Sequence, residues 1–138
     1  MKIALLALVA IATPALAQTP AVRKAPAVNK VQSVNIAMTD HGFVPRDITL
    51  RRGSAYVLHI ANRSDKGHNL TQTAFFNAAL LSREDSGLAR DGQIVLAAGE
   101  RATVRFRAPL TRSGGTFQFS STTLGDASED YTGVFHIR

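Results

Sequence analysis

Short runs in which apolar and polar residues alternate recur along most of this chain. They include Val34, Ile36 and Met38; Ile48 and Leu50; Tyr56, Leu58 and Ile60; Ile94 and Leu96; Val104 and Phe106; Phe117, Phe119 and Ser121; and Phe135 and Ile137. A period of two puts each set on one face of a β-strand. Turn residues separate the runs: Asp40-His41-Gly42, Arg52-Gly53, the Arg63–Gly67 stretch, Ala98-Gly99-Glu100 and Ser113-Gly114-Gly115. About seven short strands with turns between them predict an all-β Greek-key sandwich. One segment breaks the pattern. Ala74–Arg83 (AFFNAALLSR) spaces its apolar residues by three to four, so a short helix is expected there, with Phe75 and Phe76 capping the end of the core.

The N-terminus carries Lys2, an apolar run from Ile3 to Ala12, and Ala15-Leu16-Ala17 before Gln18. This is the pattern of a secretory signal peptide spanning residues 1–17, and the run is too short for a membrane span. An uncleaved N-terminal anchor is the competing reading. Residues 18–30, with Pro20, Pro26, Arg23, Lys24 and Lys30 and no hydrophobic period, predict a disordered basic leader. Residues 31–138 form the expected folded domain. Export to a bacterial periplasm is the expected localisation.

Cysteine is absent from all 138 residues, so neither a disulfide nor a thiolate is available for folding, metal binding or nucleophilic attack. The formal net charge is +6. Arg101, Arg105 and Arg107 alternate with Ala102, Val104 and Phe106, which makes them the solvent face of a strand rather than a nucleic-acid motif. A basic exported protein is suited to an acidic protein partner or an anionic surface instead. His59, His136 and His41 fall on outward parity or in a turn and are expected to face solvent.

Three stretches carry a resemblance. Phe43, Pro45, Ile48, Leu50 and Gly53 match Phe-x-Pro-x-x-Ile-x-(Val or Leu)-x-x-Gly, in which the proline marks a sheet edge or crossover and the glycine a turn. Asn62, a polar turn and then His68-Asn69-Leu70 form the second. Phe117-x-Phe119-x-Ser121, a polar loop, Tyr131 and Gly133 form the third. Together these resemble the cupredoxins, the small blue copper proteins related to plastocyanin and azurin, over about 100 residues.

The resemblance implies that His68 stands at the first copper-histidine position, Ser121 at the cysteine, Asp126 near the second histidine, and Tyr131 at the axial methionine. Thr123 and Leu124 are alternative places for the second histidine. The copper site is thus degenerate, lacking the Cys, second His and Met ligands. Tyr131 is expected to pack over the corner rather than bind.

Two functions compete on these residues. One is a non-redox binding module using its sandwich ends and basic faces. The other is a periplasmic handler holding copper or zinc weakly through His68 and Asp126 of the acidic loop, an oxygen-and-nitrogen donor set. Electron transfer ranks third. A hydrolase built on Ser121, His68 and Asp126 ranks last, because no nucleophile elbow surrounds Ser121 and no oxyanion hole is evident; the chain is not expected to be an enzyme.

Overall fold

A computed structural model describes residues 30–138. The expected signal peptide, and the expected leader up to residue 29, lie outside the described residues. Two five-stranded sheets face each other. The first holds β1 (Gln32–Thr39), β2 (Gly42–Val44), β4 (Ala55–Asn62), β6 (Leu80–Leu81) and β8 (Arg101–Arg107), in the order β2-β1-β4-β8-β6. The second holds β3 (Asp47–Leu50), β5 (His68–Thr71), β7 (Gln93–Leu96), β9 (Thr116–Ser120) and β10 (Thr132–Ile137), in the order β3-β10-β9-β5-β7. Each sheet is mixed: β1 runs parallel to β4, with Ile36 opposite Ile60, and β3 runs parallel to β10, with Leu50 opposite Ile137.

The alternation read from the sequence places the core. Ile36, Met38, Leu58, Ile60 and Val104 from the first sheet meet Leu50, Leu70, Phe119, Phe135 and Ile137 from the second, all buried. Aromatic rings join the two halves. Phe75 stacks on Phe135 at 4.3 Å between centroids, and Phe43 meets Phe119 edge-on at 4.9 Å. Such pairs contribute roughly 0.5–1.5 kcal/mol each beyond the area they bury. Phe75 and Phe76 are both buried in this core.

Pro45 falls between β2 in one sheet and β3 in the other, so the residue without a donor sits where the chain changes sheets. Gly53 has φ +65, the left-handed turn that joins β3 to β4. Gly133 is needed for a different reason: a Cβ there would lie 2.3 Å from the Phe119 ring and 2.8 Å from the Arg46 carbonyl oxygen.

Two details differ from the sequence reading. The helix α1 covers Thr73–Ala78 rather than residues 74–83. Ala79 leaves it in an extended conformation, and Leu80 and Leu81 pair with Arg107 and Phe106 at the edge of the first sheet. That edge offers their backbone a ladder that a further helical turn would forgo, and Phe75 and Phe76 have already buried the helix's apolar side. Among the described residues the strand count is ten rather than about seven, the additions being β2, β5 and β6, of three, four and two residues. No helix among the described residues is long and apolar enough to cross a membrane.

Candidate functional site

Asn62 sets the position of the first site residue. Its amide Nδ2 donates to the carbonyls of Lys66 (2.6 Å) and Ala97 (3.0 Å), while its Oδ1 accepts from the Ser64 backbone N–H (3.0 Å) and hydroxyl (2.8 Å). The turn between β4 and β5 is thereby tied down, and His68 starts β5 directly after it. Asn69 holds the facing loop: its Oδ1 accepts from Thr122 N–H at 2.7 Å and its Nδ2 donates to Thr122 Oγ1 at 2.9 Å. Ser121 follows β9, and a short 3-10 turn over Leu124–Asp126 folds Asp126 inward.

These elements converge on one carboxylate oxygen. Asp126 Oδ2 lies 2.7 Å from His68 Nδ1 and accepts a hydrogen bond from Thr123 Oγ1 at 2.6 Å. It also accepts from the Ser121 hydroxyl. Both members of the central pair are buried, His68 at 2% and Asp126 at 7% relative exposure. Burial pushes the Asp126 carboxyl up, but the bonds from Ser121, Thr123 and His68, with the His68 charge, outweigh it and hold the group below its ordinary value. Facing an anionic acceptor, Nδ1 carries a hydrogen. Nε2 is buried without a hydrogen-bond partner among the described residues.

Tyr131 covers the corner. Its ring stacks on His68 at 4.8 Å and 27°, Phe43 meets it edge-on at 4.8 Å, and its hydroxyl donates to the Thr39 carbonyl at 2.6 Å. Burial, then the negative charge of Asp126, raises the phenol well above its usual value, so it stays neutral.

The structure therefore brings together all four residues singled out in the sequence: His68, Ser121, Asp126 and Tyr131. Of the three candidate loop positions Asp126 faces His68, Thr123 joins it as a hydrogen-bond donor, and Leu124 is 96% exposed. The other acidic loop residues stay outside, Glu129 exposed and Asp130 paired with Arg46 at 3.0 Å. His59 and His41 are exposed, and His136 is half-buried at 3.0 Å from Asp47. Sequence reasoning did not find the Asn62 clamp or the Thr39 carbonyl that receives Tyr131.

The corner does not fit a blue-copper centre. It offers a hydroxyl where a thiolate is required, a carboxylate in place of an imidazole, and a phenol turned away to Thr39. The 2.7 Å between His68 Nδ1 and Asp126 Oδ2 is a hydrogen-bond length. Two tetrahedral ligands bound at about 2.1 Å would sit about 3.4 Å apart. No group of three or more His, Cys, Asp or Glu placed to hold a metal ion occurs among the described residues. Ser121 and His68 both face Asp126 with no hydrogen bond between them, so the histidine is not placed as a base for the serine.

No protein-family model matches the chain, and no curated protein matches it. Solved structures do. Auracyanin from the photosynthetic bacterium Roseiflexus castenholzii, in its dithionite-reduced form, aligns with a TM-score of 0.55 at 18% identity, over 78% of this chain and 97% of that one. Auracyanin B aligns at 0.53 and 18%, over 85% and 93%. Auracyanin A of Chloroflexus aurantiacus, described as a blue copper protein, aligns at 0.53 and 18%, over 78% and 99%. The chain has the cupredoxin fold.

Proposed function

We propose that this domain is an exported, non-redox binding module of cupredoxin fold, without enzymatic activity, that recognises an acidic protein partner. One observation carries the reading. The imidazole nitrogen that faces the corner is hydrogen-bonded to a buried carboxylate, which also gathers the Ser121 and Thr123 hydroxyls. Those contacts satisfy Nδ1 and the carboxylate internally. A cation entering the corner would have to separate a buried pair whose breakage costs about 3–5 kcal/mol. The net charge of +6 and the arginines alternating along β8 support a partner of opposite sign.

Calorimetric titration with cupric and zinc ions, on the wild type and on His68→Ala, separates this reading from a metal handler. Equal, negligible heats in both proteins, and no intense blue absorption with copper, are expected. One-to-one binding present in the wild type and lost in His68→Ala would overturn the reading in favour of weak metal holding by His68 and Asp126.

A further inference from the structure

The outer face of the first sheet carries a groove of about 560 Å³, within the size range of ligand sites. Its shape follows from register. Ala37, Ala61 and Arg101 stand side by side across β1, β4 and β8, and one pleat away Asn35, His59 and Thr103 do the same. The two alanines leave a hollow between larger neighbours, and Val44 and Pro45 wall it on the β2 side. Arg63, directly after β4, lines it with Arg101. Neither of these guanidiniums has an ion-pair partner among the described residues, whereas Arg105 on the same strand is paired with Asp85 at 3.1 Å. The groove thus concentrates uncompensated positive charge over a small apolar floor.

We infer that this groove binds an extended acidic segment of the protein partner, with a Glu or Asp side chain between Arg63 and Arg101. The inference rests on the binding-module reading and names where the partner docks. The spacing favours an extended peptide. Rows of side chains one pleat apart on a sheet are about 6.6–6.8 Å apart, the same as residues i and i+2 of an extended chain. A carboxylate at i can therefore meet the row of Ala37, Ala61 and Arg101 while a polar side chain at i+2 meets Asn35, His59 and Thr103. Two guanidiniums provide the forked donors that hold a carboxylate.

The test uses a rhodamine-labelled peptide of alternating glutamate and alanine, read by fluorescence anisotropy against the wild type and two double variants. Arg63→Glu with Arg101→Glu reverses the groove. Arg52→Glu with Arg112→Glu makes the same change in net charge at exposed positions outside it. Binding to the wild type, retained within about threefold by the second variant and weakened more than tenfold by the first, is the expected result. No binding to the wild type, or equal weakening by both variants, would overturn it, the latter by showing that net charge alone attracts the peptide. Binding of inorganic phosphate without the peptide would also overturn it, in favour of a small-anion site. None of these failures bears on the metal titration, which judges the binding-module reading separately.

Discussion

His68 Nδ1 and Asp126 Oδ2 lie 2.7 Å apart, 58 residues distant in sequence and both buried where the two loops meet. This pair is the hub of the corner. Removing the carboxylate takes away the acceptor that the Ser121 and Thr123 hydroxyls and an imidazole N–H share. Asp126→Ala is therefore expected to destabilise the domain by about 3 kcal/mol. Asp126→Asn, which keeps an acceptor oxygen, should cost less. Urea unfolding of the three proteins checks the order, and equal midpoints would show that the cluster contributes nothing to stability.

Acid should weaken the same cluster. The Asp126 carboxyl is held below its ordinary value of 3.8 in the folded protein, so the folded state binds fewer protons than the unfolded chain as the pH falls. Its stabilisation is present above the unfolded value and is lost as pH drops below about 4 through the folded one. Asp85 and Asp130 are depressed too, so wild-type acid sensitivity alone does not isolate Asp126. The stability difference between wild type and Asp126→Asn does. It should shrink between pH 5 and pH 2, and a difference independent of pH would contradict an ionised Asp126.

Gly133→Ala would place a methyl group 2.3 Å from the buried Phe119 ring. The ring has no room to move, being packed against Phe43 at 4.9 Å and Phe135 at 4.6 Å. A loss of about 3 kcal/mol is expected in thermal or urea unfolding. A loss under about 0.5 kcal/mol would mean that the β9–β10 pairing relaxes far more easily than this packing allows.

The sandwich was legible in the sequence because its strands are amphipathic, and Leu58, Ile60 and Val104 fall inward by parity alone. His68, Ser121 and Tyr131 were legible through the motif residues around them, whereas Asp126 was one of three loop positions, with Thr123 and Leu124, that the sequence left open. The end of α1 was not legible, because Leu80 and Leu81 fit a helix locally and are turned by a strand edge more than 20 residues later. Nor was the Asn62 clamp, whose acceptors lie on both sides of a turn and across to Ala97. The Tyr131–Thr39 bond spans 92 residues and depends wholly on how the sheets pack.

If the corner corresponds to a copper site, it can be rebuilt. Ser121→Cys, Asp126→His and Tyr131→Met together replace the hydroxyl, carboxylate and phenol around His68 by a thiolate, an imidazole and a thioether. The folded triple variant should turn intensely blue with cupric ion while the wild type stays colourless. A folded but colourless variant would argue first against Asp126 as the place of the second histidine, with Thr123 and Leu124 the other positions to try.

The most direct measurement of the central claim is long-range proton–nitrogen correlation spectroscopy of the His68 imidazole, before and after addition of zinc. A hydrogen on Nδ1, an Nδ1 resonance that shifts in Asp126→Ala, and no change in that resonance with zinc are expected. An Nδ1 without hydrogen would contradict its hydrogen bond to Asp126, and one that gives up its hydrogen and shifts on adding one equivalent of zinc would show that the corner binds metal; either result would contradict the account.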